Sequence, residues 1–371
     1  MKVQPIVFAV PVYALLIALE LWQGRRKGRD VYDIPELMAN IGSGLGQLLT
    51  DIFLGLLYTV PYHYLLRAAP FALTAHDPLA WVIGFIGVDF AFYWQHRISH
   101  HVNVLWAAHV VHHQPEHYNL GVALRQPWFS ALTNWVYYQL LALAGIPVEV
   151  FVACVALNLA YQFYLHTCLI ERMRWVEAVL NTPSHHRVHH GRNAEYLDRN
   201  FGGVFIVWDR LFGTFQAEEA PVEYGTTTPY RSLNGVWANF DYFWHLWSRS
   251  WQQKHLKSAL YVWLAPPGWK AEGEVIPPSP TSMPPRQPTQ RAIIYGALSS
   301  TVAIIASALL IAYQESLRPL ERVVGIGLIM WALAAIGALL DGQRRAKQYE
   351  LARIVVLVAF SVWLWKSGRH A

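Results

Sequence analysis

Apolar runs long enough to cross a bilayer alternate along this chain with polar stretches crowded with histidine. Val3–Trp22 is nearly uncharged, and a helix needs about 20 such residues to cross roughly 30 Å of hydrocarbon. It lacks the basic leader of a secretory signal and is longer than a signal's apolar core, so it predicts a membrane span. Ile41–Leu66, Leu79–Trp94, Phe129–Ala144, Val148–His166, Ala292–Tyr313, Val323–Leu340 and Leu351–Trp365 predict further spans. Asp51 and Pro61 interrupt the second of the eight runs. Pro147, following Gly145 and Ile146, predicts a tight turn that makes Phe129–His166 a transmembrane hairpin. The pattern predicts an all-α, polytopic membrane protein of transmembrane helices.

Three regions follow from this layout. Residues 1–265 form the membrane catalytic domain, with every histidine cluster between 96 and 190. Residues 266–290 are rich in proline, cannot sustain a helix, and read as a linker. Residues 291–371 form a C-terminal region of three spans. Val236–Leu264 interleaves Trp237, Phe240, Trp244, Trp247 and Trp251 with basic residues, which suits an amphipathic helix at the headgroup boundary. The same mixture can bind single-stranded nucleic acid, but no nucleic-acid partner is expected of a chain with this many spans.

Composition agrees: 54% of the 371 residues are hydrophobic and 14% charged, against about 25% charged in soluble domains. The net charge of +5 is read through topology. Arg25, Arg26, Lys27 and Arg29 follow the first span, and Arg344, Arg345 and Lys347 follow the seventh. The positive-inside rule places both groups in the cytoplasm, and the histidine clusters fall on the same side. Cys154 and Cys168, the two cysteines, exclude a disulfide framework or a thiolate metal site.

Twelve of the 17 histidines lie between positions 96 and 190. His96 and His100 are four apart, so on a helix their rings share a face. His109, His112 and His113 stand at i, i+3 and i+4, again one helical face, and His186, His189 and His190 repeat that spacing. Neutral imidazole is a common ligand for Fe, Zn, Cu and Ni. These eight nitrogens exceed the three or four that one zinc takes, and predict two metals with open positions. His166, in QFYLHT, is delivered to the same face and is a ninth candidate. His101 and His185 adjoin ligands but point about 100° away on a helix, and they are candidates for a supporting role. Metal-bound imidazoles usually need an acceptor to fix their tautomer. Asp89, seven residues before His96 on the same helical face, is a candidate for that task, because carboxylates in apolar spans are costly and usually functional. Asn119 and Arg125 are candidates of the same kind, and Asn181, Asp198, Asn200 and Asp209 are weaker ones. His117 reads as a loop residue, and His63, His76, His245, His255 and His370 as structural. Imidazole alone does not choose the metal, since affinity favours copper and zinc over iron. The argument for iron is chemical: a buried redox site beside lipid suits oxygen activation.

At HRISHH, HVVHH and HRVHH the chain resembles the fatty acid hydroxylase/sterol desaturase superfamily of membrane non-haem di-iron enzymes, over roughly residues 80–220. Within it the chain is most similar to the alkylglycerol monooxygenase group, through DFAFYWQHRISH, LWAAHVVHHQPEHYNLGVALRQ, QFYLHT, NTPSHHRVHHGRN and DRNFGGVFIVWDRLFGTF. The resemblance implies a helical base and a cytoplasmic cap holding two irons on His96, His100, His109, His112, His113, His186, His189 and His190. It implies an O2-dependent hydroxylation of the carbon beside the ether bond of an alkylglycerol, releasing fatty aldehyde, with tetrahydrobiopterin as reductant. No fused electron-donor domain is recognisable, so a separate donor is expected. Zinc is expected to replace iron in recombinant protein. One departure stands out: that group carries an acidic residue directly after the second histidine of the first box, where this chain has His101.

Two other readings compete. The same site could hydroxylate or desaturate a sterol, a fatty acyl chain or a carotenoid. Alternatively, the chain could be a non-catalytic zinc-binding membrane protein. Against zinc transport, the histidines lie at or beyond the ends of spans, not at mid-membrane where ion-pathway residues usually sit.

Overall fold

The computed structural model describes residues 5–274, 276, 281 and 287–366. Among the described residues it is all-helical, without strands, and β-type pairing is confined to isolated bridges at Leu180–Phe205 and Gly191–Tyr224. The expected linker at 266–290 lies partly outside the described residues.

The N-terminal half contains α1 (Pro5–Arg26), α2 (Ile34–Leu54), α3 (Leu56–Leu66), α4 (Pro78–His101) and the short α5 (Asn103–Ala107). The hairpin α6 (Ser130–Leu143) and α7 (Val148–Leu165) follows, turning where Gly145 and Pro147 predict it. The short helices α8 (Pro183–His189) and α9 (Val207–Leu211) lead to α10 (Gly235–Trp251) and α11 (Leu256–Leu264). The long helices α12 (Gln290–Tyr313), α13 (Pro319–Leu340) and α14 (Ala346–Lys366) complete the order.

Four stretches, Ile34–Leu66, Val148–Leu165, Gln290–Tyr313 and Pro319–Leu340, are long and apolar enough to cross a membrane, and they mark the chain as a membrane protein. Of the eight expected spans, Val3–Trp22, Leu79–Trp94, Phe129–Ala144 and Leu351–Trp365 are not among these four, although each lies largely within a helix. Ile41–Leu66 is two helices, α2 and α3, joined at Gly55. The run Phe129–Ala144 yields the 14-residue α6, about 21 Å long, short of a 30 Å crossing by itself. The two short helices α3 and α6 pack side by side.

Two apolar cores organise the chain. One joins α3, α4, α6 and α7 through Tyr62, Val88, Tyr138, Leu141, Val150 and Phe151. The other joins α2 to the C-terminal helices through Leu45, Leu49, Ala303, Leu310, Ile329 and Leu333. The C-terminal helices are also tied to the segment before α10, where the Asp341 carboxylate accepts the Leu233 backbone N–H at 2.6 Å. On α10, Trp237, Phe240, Trp244, Trp247 and Trp251 form an exposed stripe at helical spacing, while Ala238 and Leu246 face inward. Asn234 starts that helix by accepting the N–H groups of Val236 and Trp237.

Candidate metal centre

The histidine motifs converge into two groups. His96, His100, His109, His113 and His189 form the first, and His112, His166, His186 and His190 the second. Within each group the ligand atoms lie within 4.8 Å of one another. The expectation that each His-x2-His-His motif presents one helical face is overturned. The first such motif lies on a tight 3-10 turn, Val110–His113. In both motifs the i, i+4 pair stays together while the middle histidine turns to the other group. Hence His112 joins the pair His186/His190, and His189 joins His96/His100 and His109/His113. Each motif therefore serves both groups.

Backbone carbonyls orient the rings. His96 Nδ1 bonds the Phe201 carbonyl at 2.9 Å, His189 Nδ1 that of Arg199 at 2.9 Å, His112 Nδ1 that of Arg125 at 3.2 Å, and His166 Nδ1 that of Gln162 at 2.9 Å. A carbonyl oxygen only accepts, so each of these Nδ1 atoms carries the proton and each Nε2 presents a lone pair. Nε2 of His96, His100, His189 and His190 is buried with no hydrogen-bond partner, a costly state for a polar atom unless something else occupies it. His166 Nε2 stands 3.1 Å from Nε2 of both His112 and His186. The His112 and His166 rings already donate their N–H groups to carbonyls through Nδ1, so two Nε2 lone pairs face each other there. A cation between them converts that repulsion into ligation, and metal–nitrogen bonds of about 2.1 Å suit the spacing.

Burial is the main cause of depressed basicity across the cluster. It lowers His96 to about 3 and His112 to about 4, and it takes His100, His109, His113, His186, His189 and His190 well below the usual histidine range. The rings are neutral at pH 7, the form that binds metal.

Asp89 does not touch a histidine. Its carboxylate accepts the N–H groups of Val204 (2.6 Å) and Phe205 (3.0 Å), the Trp208 indole (2.9 Å) and the Asn158 amide (2.7 Å). Asp209 does the same one step earlier, accepting from Phe201 N–H (2.7 Å), Gly202 N–H (2.8 Å) and the Thr214 hydroxyl (2.7 Å). Together they clamp the loop whose Arg199 and Phe201 carbonyls orient His189 and His96. A Cβ on Gly203 would lie 2.7 Å from the Asp89 carboxylate, so only glycine lets backbone and carboxylate approach this closely. Asp198 adds a direct contact, 3.4 Å from His100 Nδ1.

The other supporting candidates divide. Arg125 acts through its carbonyl on His112, while its buried guanidinium holds the Val111 carbonyl (2.9 Å), Asn40 (3.2 Å) and Gln114 (2.6 Å). Asn119 bonds the Val31 carbonyl and Gly121 N–H rather than an imidazole. Asn181 bonds the Gly202 carbonyl, and Asn200 the carbonyls of His185 and Gln216. His101 is exposed and bonds the Arg97 carbonyl at 2.7 Å, outside both groups. His185 is buried but packs on Phe215, with ring centroids 5.4 Å apart.

Sequence reasoning missed Glu20. Buried in α1, it accepts from Tyr32, Thr167 and the Leu120 backbone N–H, tying α1 to the segments beside His117 and His166. Its signal was visible as a carboxylate near the end of an otherwise apolar run.

The fatty acid hydroxylase family model matches residues 81–214, the stretch that carries all nine clustered histidines. The chain is 34% identical to alkylglycerol monooxygenase of Homo sapiens, over 94% of this chain and 81% of that protein. Against the alkylglycerol monooxygenase of Danio rerio it is 34% identical over 94% of this chain and 80% of the other. Against that of Xenopus tropicalis it is 34% identical over 76% and 65%. No solved structure matches it significantly.

Proposed function

The chain belongs to the alkylglycerol monooxygenase family, and from that premise we propose that it cleaves the ether bond of alkylglycerols with O2. Its relatives make it an oxidoreductase of the hydroxylase and desaturase kind. In this reading two iron ions, one per imidazole group, supply oxygen activation, and tetrahydrobiopterin supplies two electrons. One oxygen atom enters the C–H bond beside the ether oxygen, whose lone pair stabilises electron deficiency at that carbon. The other leaves as water with two protons. The hydroxylated carbon is a hemiacetal, which collapses to a fatty aldehyde and a glycerol. Iron rather than zinc is the working metal, although the ligand set accepts both. The site faces the cytoplasm in this reading, which the basic clusters after the first and seventh expected spans support.

The observation that carries this reading is the facing lone pairs of His112 and His166 at 3.1 Å, both fixed by carbonyl partners. The chain's own residues hold nine neutral imidazoles in register and bury them from water. The test is anaerobic purification with metal analysis, followed by an alkylglycerol assay with and without tetrahydrobiopterin. Two irons per chain and pterin-dependent aldehyde release are expected. Two irons without ether cleavage would move the substrate to a sterol, fatty acyl chain or carotenoid. Undiminished turnover in both His109→Ala and His189→Ala would sink the di-iron assignment.

A further inference from the structure

Beside α8, away from the imidazole groups, a cavity of about 250 Å³ opens between residues 172–185 and residues 210–218. We infer that it binds a phosphate-like oxyanion, an inference that stands whether or not the proposed reaction is right. Three guanidinium groups line it, those of Arg172, Arg174 and Arg210. None of them pairs with a carboxylate among the described residues.

The acids in the wall are already engaged. Glu218 takes both nitrogens of the Arg187 fork, at 2.8 and 2.6 Å. Glu177 accepts from Met173 N–H (2.9 Å), the Thr182 hydroxyl (3.1 Å) and the Ser184 hydroxyl (3.0 Å). Glu218 is neutralised by Arg187, whereas the donors to Glu177 are uncharged, so three guanidinium groups stand against one carboxylate and the cavity keeps a net positive charge. Arg210 is held in place, stacked on Phe215 at 3.8 Å and donating to the Glu177 carbonyl at 2.9 Å. Arg172 donates to the Glu218 carbonyl. Each of those two forks keeps further N–H groups free for a ligand. Arg174 holds a left-handed backbone conformation, φ 51°, uncommon for a side chain of this size.

A buried group in the wall points the same way. His185 is 2% exposed, and its Nδ1 is buried without a partner. A neutral imidazole can offer an N–H there, so no change of protonation is required. The volume also limits the ligand. Pockets that enclose a whole organic ligand usually run from about 300 to 1,000 Å³, so this one suits a tetrahedral oxyanion with a short stem. Planar guanidinium forks match such an anion, two oxygens at a time. The same chemistry is found on a lipid headgroup and on free phosphate.

The test is calorimetric titration of inorganic phosphate into the full chain in an uncharged sugar detergent. Saturable binding is expected. It should weaken at least about tenfold in an Arg174→Gln/Arg210→Gln double variant and stay unchanged in Arg344→Gln. Among the described residues the Arg174 side chain makes no hydrogen bond or ion pair, so Arg174→Gln alone, expected to weaken binding severalfold, separates a lost anion contact from misfolding. Absence of phosphate binding, or native affinity in Arg174→Gln, overturns the inference. Added phosphatidic acid distinguishes the sources. Competition with phosphate, not reproduced by diacylglycerol, assigns the site to a headgroup, and no competition assigns it to the free anion.

Discussion

The two imidazole groups are nearly equal in size and differ in what holds them. The first is oriented by a loop: the carbonyls of Phe201 and Arg199 fix His96 and His189, and the loop is clamped by Asp89 and Asp209. The second is oriented by a helix end and by a segment packed on α2. Gln162 on α7 fixes His166, and Arg125 fixes His112. That segment continues to Trp128, which packs against α2 so closely that a Cβ on Gly46 would lie 2.0 Å from its ring. The first group depends on a loop gripped by Asp89 and Asp209, and the second on close packing against α2 together with the Glu20 contacts beside His166, so the two should fail by different routes.

The largest effect is expected where the groups share a motif. His112→Ala and His189→Ala each remove a ring that its own motif sends to the opposite group. Each should abolish turnover and cut bound metal by about half, read by elemental analysis on folded protein. Loss of all metal from either variant would show that the groups fill only together.

Next comes the carboxylate clamp. Asp209→Asn cannot accept every bond that Asp209 now accepts, so a buried N–H loses its partner at a cost of about 1–3 kcal/mol. Metal affinity should fall about 10–100-fold in the first group and little in the second. Competition with a chelator measures both. The steric counterpart is Gly46→Ala, which should destabilise by about 1–3 kcal/mol through overpacking and loosen the second group first. Equal losses from both groups in either variant would break the distinction.

A milder effect is expected from pH on the metal-free protein. His96 titrates at about 3 and His112 at about 4 when folded, against about 6.5 when unfolded. Between those values the unfolded chain binds more protons, so stability falls as pH drops below about 6.5. Thermal melts of chelated protein from pH 7.5 to 5 should show a declining midpoint, and the metal-loaded protein a flatter one. The smallest effect is expected of His101→Glu. The ring is exposed and outside both groups, so turnover should stay within about twofold of native, in line with ordinary surface substitutions.

Much of this was legible in the chain itself. The membrane helices, the turn at Gly145–Pro147 and the convergence of nine histidines follow from apolar run length and four-residue spacing. The division of the histidines did not follow, because a spacing of i, i+3, i+4 says at most which rings share a face and not which of them meet rings from other segments; His186, His189 and His190 divide even on α8. The orienting groups were mostly hidden for a different reason. Phe201, Arg199 and Gln162 act through carbonyls that every residue possesses, so no side chain announces them. Asp89 was visible as a costly carboxylate, but a one-dimensional pattern cannot say that it grips a loop more than 100 residues away. The shortness of α6 was legible too, since the helix fills nearly the whole expected run Phe129–Ala144 and a run of that length rises only about 24 Å.

The crossing of His112 and His189 has a consequence for distance. His112 and His113 are chain neighbours that face different groups, and so are His189 and His190, with ring centroids 5.5 and 5.3 Å apart. The separation of the two groups is thus gauged twice by a single peptide link, whose Cα-to-Cα length of about 3.8 Å does not vary. Helices in a bilayer slide and tilt as the lipid thins or thickens, but a covalent ruler does not stretch with them. The paired centre can ride on a soft membrane base while its internal span stays constant.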